Sequence, residues 1–411
     1  MDPQQYGRLK DKYLDKIRAY FPDSTVRCLV EAPEKSDHGD IDIFVTLSAE
    51  QKVDFEDLGN KIGAAGVILH SSGTVRKCTL GVAADGTSSE SSVIVYQHNH
   101  GHGEGVRSES AAALTTKQYA QIDIEIVAPH LAAWFSFYSS SGDMLGLIGR
   151  IVRNLGFIVT DRGLWLRMPE LDASKTMTHV NVADRDGIIF LSNDPHRVML
   201  FLGLSVDRYE AGFETLEELY TWLGACRMLS AEVIRLKREN SSERNREHKR
   251  SVFSGFFNEW LPLHMDMTLE QDEVKQRTKL LQLRHQFLEG AVLFFEKSEE
   301  YAAKHSALVR AINNATAGEL LKPLVAEYSQ RDGKKLNEVM RSFRRNVGFN
   351  EVGDPYVLDT SHSDINSQLH RFLGDDSLSL RDETAARIWV KANWEQLRIL
   401  ERQTKKTSTG E

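Results

Sequence analysis

Asp40 and Asp42 alternate with Ile41 and Ile43 directly after Gly39. Later in the chain Asp123 and Glu125 alternate with Ile122, Ile124 and Ile126. Strict polar–apolar alternation marks a half-buried strand, whose side chains point to opposite faces with a period of two. Each stretch thus presents a pair of carboxylates on one face and aliphatic side chains on the other. One such strand alone is equally well explained as an edge kept soluble by charge. Two of them, in a residue class depleted from strands, would gather like charges that repel unless a cation joins them. Carboxylate oxygens with no Cys or His beside them suit Mg²⁺ or Mn²⁺. The metal-ligating candidates are therefore Asp40, Asp42, Asp123 and Glu125, the last one pleat further along and in a supporting place.

The run Gly39-Asp40-Ile41-Asp42-Ile43, with a third Asp on a later strand, resembles the DNA polymerase beta-type nucleotidyltransferase superfamily. That group includes poly(A) polymerases, tRNA nucleotidyltransferases and antibiotic adenylyltransferases. Two further stretches are similar to largely uncharacterised nucleotidyltransferase-like proteins of filamentous fungi. One runs from Trp134-Phe135-Ser136-Phe137-Tyr138 through Ser141-Gly142-Asp143 to Arg150; the other runs from Gly156-Phe157 through Asp161-Arg162-Gly163 to Arg167. The resemblance covers residues 25–230. It implies an α+β fold, a small mixed β-sheet palm with helices followed by a largely helical C-terminal half.

It also implies a reaction: in-line attack on the α-phosphorus of a nucleoside triphosphate, with loss of pyrophosphate. Asp40, Asp42 and Asp123 would be the catalytic carboxylates. Asp40 and Asp42 would bridge two ions ~3.5–4 Å apart, one on the phosphates and one acidifying the attacking hydroxyl. Asp123 would complete the second ion's ligands and accept the proton. The superfamily's usual Gly-Ser pair, at a helix start well before the Asp pair, is missing. Ser36 and Gly39 are the candidates to present a hydroxyl and a backbone N–H to the phosphates instead, with Arg150 and Arg153 reaching phosphate from a nearby helix. No Gly-x-x-x-x-Gly-Lys-[Ser/Thr] loop is present, which speaks against a P-loop ATPase. The acceptor is left open, an RNA 3′ end, a protein side chain or a small molecule. Two other readings of the same acids stand beside this one: a catalytically degenerate binding or scaffold module, and a metal-dependent phosphohydrolase.

The elements that must position these residues follow from periodicity. Tyr6, Leu9, Tyr13, Ile17 and Tyr20 recur at helical spacing and predict a helix over 4–21. Thr25 to Val30 reads as a strand, and Ser48 as the cap of a helix beginning at Ala49. Short strands are expected at 66–70, 74–82 and 92–97, joined by Gly/Ser-rich turns. His98, His100 and His102 alternate in a Gly-rich loop over 98–113. Without cysteine or fixed partners they read as a solvated loop able to close over a substrate rather than as a zinc site. After Pro129 come an aromatic-rich helix, a second helix to Asn154 with Ser141 as its cap and Asp143 in its first turn, and a hairpin turning at Thr160-Asp161-Arg162-Gly163. Asp194-Pro195 opens a further helix.

Composition bounds the rest. A chain of 411 residues suggests two or three domains: a catalytic domain over 1–128, a central mainly helical one over 129–240, a helical one over 251–402, and a disordered tail over 403–411. Its 41% hydrophobic and 27% charged residues are those of an ordinary globular protein. No run has the length of a membrane span, no secretory leader is visible, and three scattered cysteines form no disulfide or zinc pattern. An intracellular place, cytoplasmic or nuclear, is the expectation. The net charge of −8 argues against a nucleic-acid-coated surface. Two runs are basic: Arg235–Arg250 reads first as the polar end of a long helix and a hinge, Arg331–Arg345 first as a solvated face, and both second as tracks for a phosphate-bearing partner such as an RNA backbone.

Overall fold

In the computed structural model, described for residues 1–48, 50–72, 75–87, 93–98, 118–171, 184–235, 251–266, 272–316, 321–349, 355–357 and 383–409, the chain opens with α1 (Pro3–Tyr20). Asp2 caps it, its Oδ1 accepting from Gln5 N–H at 2.8 Å, and Pro3 sits where a missing N–H costs nothing. The expected apolar stripe is the buried one: Tyr6, Leu9, Tyr13 and Ile17 all lie in the core.

Two strands, β1 (Val26–Cys28) and β2 (Asp40–Thr46), pair antiparallel, and α2 (Phe55–Ile62) follows. Here one expectation fails. Ser48 starts a turn, with its carbonyl accepting from Gln51 N–H at 3.2 Å. The helix begins later and is capped by Asp54, whose Oδ1 takes the N–H groups of Glu56 and Asp57 at 3.0 Å each. Two polar residues capable of capping stood close together, and Asp54 prevailed because the apolar positions Leu58 and Ile62, buried in the core, phase with it.

Then come β3 (Gly66–Ser72), β4 (Val75–Ala83), β5 (Ile94–His98) and β6 (Tyr119–Val127). The six strands form one sheet in the order β1-β2-β6-β4-β3-β5. It is mixed: β2 runs parallel to β6 and β3 to β5, while β4 is antiparallel to both of its neighbours. Ile41, Ile43 and Val45 of β2, Ile122, Ile124 and Ile126 of β6, and Cys78, Leu80 and Val82 of β4 form the back of the sheet, against α1 and α2. The opposite face carries the acids. The hydrophobic back therefore fixes both registers, because a slip of one residue would turn the carboxylates into the core.

Beyond the sheet, Pro129–Leu131 makes a short 3₁₀ turn into α3 (Ala132–Ser139), followed by α4 (Met144–Arg153). Trp134 and Phe137 are buried as core aromatics, and the Trp134 indole donates to the Thr160 carbonyl at 2.9 Å. Ser141 is not a helix cap: its φ is +57°, and it lies in a loop stitched to the end of β1. Val30 N–H donates to Ser140 Oγ at 3.2 Å, and Ser141 N–H donates to the Val30 carbonyl at 2.6 Å. Asp143 precedes α4 rather than lying in its first turn, its carbonyl accepting from Leu147 N–H at 2.9 Å. Gly142, with φ of +63° and Ala32 Cβ 3.1 Å from where its own Cβ would stand, permits that close approach.

By its contacts the chain divides into two units. One comprises Met1–Ile151, Val159–Leu164 and Ser192–Met267; the other comprises Val152–Ile158, Trp165–Leu191 and Thr268–Glu411. The expected hairpin is present, Phe157–Thr160 joined by two residues to Gly163–Arg167, in a three-stranded sheet completed by Ile188–Ser192. The helix Pro195–Leu202 starts where expected, and Asp194 caps it. In the second unit, helices span Glu273–Phe294, Ser298–Thr316, Lys322–Ser329, Gly333–Asn346 and Glu383–Thr409. A core of Leu324, Val325, Val339, Phe343, Val390 and Leu397 joins the last three of these.

Two residues of the basic run Arg331–Arg345 are engaged: the exposed Arg341 and Arg345 reach the buried Glu401 carboxylate at 3.2 and 3.4 Å. The terminal stretch expected to be a disordered tail is helical through Thr409. Residues His100, His102 and most of the run Arg235–Arg250 lie outside the described residues. No helix among the described residues is long and apolar enough to cross a membrane.

Candidate metal centre

Parallel pairing of β2 with β6 sets Asp42 directly opposite Asp123, and Asp40 opposite Gln121. One carboxylate oxygen from each of Asp40, Asp42 and Asp123 lies within 4.8 Å of the others. Burial, then the charges of Asp40 and Asp123, push the Asp42 carboxyl up to about 6. A cation would remove that strain, so the donor set, hard oxygens from three side chains, fits a divalent ion such as Mg²⁺ or Mn²⁺.

Glu125 lies outside this trio. It shares the face but sits opposite Phe44, and its carboxylate pairs with Lys77 Nζ at 3.1 Å. Lys77 also meets Asp123 Oδ2 at 2.9 Å. Asp123 Oδ1 accepts from Thr79 Oγ1 at 2.7 Å and from Gln121 Nε2 at 3.0 Å. Behind Thr79 stands His70, its Nε2 2.8 Å from the same hydroxyl. Burial raises the Asp123 carboxyl, but the bonds from Thr79 and Lys77 outweigh it and hold the group below the usual carboxylate range. A carboxylate so held is fixed in place by its partners, as a metal ligand must be.

Asp42 and Asp123 open on a cleft of about 190 Å³, lined also by Leu29, Ile43, Glu125, Phe135 and Ser139. Its roof comes from α3: Phe135 packs edge-on against Phe44, the β2 residue that follows the acids on the same face, with ring centres 5.4 Å apart. The stitching of Val30 to Ser140 and Ser141 fixes where α3 ends relative to the strands.

The other candidates are placed less centrally. Ser36 and Gly39 are exposed on the loop ahead of β2 and do not line the cleft. A Cβ at Gly39 would meet nothing within 4 Å, so no close approach among the described residues requires glycine there. Arg150 lies over the rings of Phe253 and Phe257, 5.7 and 4.9 Å from their centres. Arg153 ends α4.

Lys77, Thr79, Gln121 and His70 were not singled out by sequence. Lys77 and Thr79 stand two apart on a strand that periodicity did predict, so their shared face was legible. That this face meets Asp123 and Glu125 depended on β4 pairing with β6.

No family model and no curated protein matches the chain. Among solved structures it is similar to Leishmania infantum polymerase beta in a ternary P/T complex, with 10% identity over 50% of this chain and 73% of that one, at a TM-score of 0.29. It is also similar to the same polymerase in a ternary gap complex, with 10% identity over 58% of this chain and 71% of that one, at a TM-score of 0.27. So loose an overlap assigns no residue a role.

Proposed function

We propose that the chain is a Mg²⁺-dependent nucleotidyltransferase that moves a nucleoside monophosphate from a nucleoside triphosphate to an acceptor hydroxyl. The observation that carries the reading is the convergence of Asp40, Asp42 and Asp123 on one sheet face with their oxygens within 4.8 Å. Asp40, Asp42 and Asp123 would hold the metal, which when bound supplies positive charge to phosphate oxygens and acidifies a hydroxyl. Phosphoryl and nucleotidyl transfers need positioning and charge neutralisation more than covalent chemistry, so a protein can supply them with few reactive side chains. The Asp40 and Asp42 side chains orient the reacting groups from β2. Asp123 keeps its charge through the bonds from Thr79, Lys77 and Gln121. The roof formed by Phe135 limits water on one side of the cleft. Ser36 and Gly39, exposed on the loop ahead of β2, are offered as phosphate contacts.

The test is a screen of the four ribonucleotides, labelled at the α-phosphate, with Mg²⁺ and Mn²⁺, against RNA and against the protein itself. Label transferred to an acceptor with pyrophosphate release, and lost in Asp42→Asn, is the expected result. Orthophosphate release without transfer would assign hydrolysis instead. No turnover and no nucleotide binding would leave a scaffold with an acidic face.

A further inference from the structure

The carboxylates on this face are not equivalent. Asp123 has both oxygens engaged, Oδ1 by Thr79 and Gln121 and Oδ2 by the Lys77 ammonium at 2.9 Å. Glu125 is tied to the same ammonium at 3.1 Å. The Asp40 and Asp42 side chains, by contrast, take no hydrogen bond or ion pair from any described residue. Lys77 sits on β4, paired opposite Glu125, with its side chain only 27% exposed, so its stem is confined and its charge stays at this spot. An ammonium is a compact point charge with three donors, well suited to stand between two carboxylates.

We infer that Lys77 is the second cation of the centre, a tethered positive charge between Asp123 and Glu125 that takes the place of one divalent ion. Resting on the metal reading above, this means that the nucleotide-free protein accepts a single ion, at the trio of Asp40, Asp42 and Asp123. The reasoning is one of charge and of occupied lone pairs. A second divalent ion at Asp123 would have to expel the ammonium or lie against a like charge. With the lysine charge removed, Asp123 Oδ2 and Glu125 Oε1 lose their partner and can bind metal, and the face gains one uncompensated negative charge. Lys77 is thus a positioning residue that sets metal stoichiometry, and the chain carries part of its own cofactor charge.

Equilibrium titration with Mn²⁺, reading free ion by electron paramagnetic resonance, tests this on the full chain without nucleotide. Wild type and Lys77→Arg are expected to bind one ion per chain, and Lys77→Met two. Thermal melts establish that each variant is folded. If Lys77→Met fails to fold, the wild-type count and Lys77→Gln still decide. Two ions bound by wild type overturn the inference, as does one ion bound by the folded neutral variant, while leaving the metal centre itself intact. No Mn²⁺ bound by any of the proteins removes the metal reading and this inference together.

Discussion

Asp42 carries the strongest electrostatic strain of the trio, and its pH behaviour follows from that. Its carboxyl is pushed up to about 6, from an ordinary value of 3.8, by burial and by Asp40 and Asp123. Between those values the folded state binds more protons than the unfolded one, so stability falls as pH rises through that window. Below 3.8 the penalty vanishes because the group is protonated in both states; above about 6 it is fully present. Discounted for the group's partial exposure, the effect amounts to about 1–2 kcal/mol. In EDTA, urea denaturation of wild type between pH 3.5 and 7.5 should show this decline, and Asp42→Asn should flatten it. Asp42→Asn should also abolish nucleotidyl transfer while melting at or above the wild-type temperature at neutral pH. Turnover like that of wild type in this variant would remove Asp42 from the chemistry.

At the scale of elements, two pairs of substitutions separate position from propensity. Asp54→Ala removes the cap of α2 and should cost ~1 kcal/mol, whereas Ser48→Ala should be within ~0.5 kcal/mol of wild type. Chemical denaturation distinguishes the two, and a reversed order would restore the earlier helix start. Phe44 is 1% exposed and packs on Phe135. Phe44→Ala should therefore cost ~3–5 kcal/mol. It should also lower Mn²⁺ affinity, because the roof over Asp42 and the strand that carries it lose a shared contact. The acidic strands and their apolar backs were legible at this scale because alternation is written into β2 and β6 themselves. The cap was not, since Ser48 and Asp54 both have the chemistry and only burial of Leu58 and Ile62 chooses between them.

At the scale of the whole molecule, the two units have separate cores, one behind the metal centre and one among the C-terminal helices. Glu401 is buried and neutralised by Arg341 and Arg345. Glu401→Ala leaves two half-exposed guanidinium groups without their acid and should cost ~1–3 kcal/mol. Calorimetry should place that loss in the unfolding of the second unit, with Mn²⁺ binding unchanged. A parallel loss of Mn²⁺ binding would show that the centre depends on this second core. The same ion pairs commit two cations of the second basic run, Arg341 and Arg345, to an acid of this core.

What the sequence determined by itself was the existence of two strands with acids on one face and aliphatics on the other, because side-chain direction along a strand depends only on a local period of two. It also determined the first helix, whose stripe and cap lie within one contiguous segment. Which strands became neighbours was settled by long-range packing alone. Strand order is set by how apolar backs share one core across long separations, and no local pattern encodes it. That ordering placed Asp123 beside Asp42, committed Glu125 to Lys77, and brought Thr79 and His70 up behind the Asp123 carboxylate.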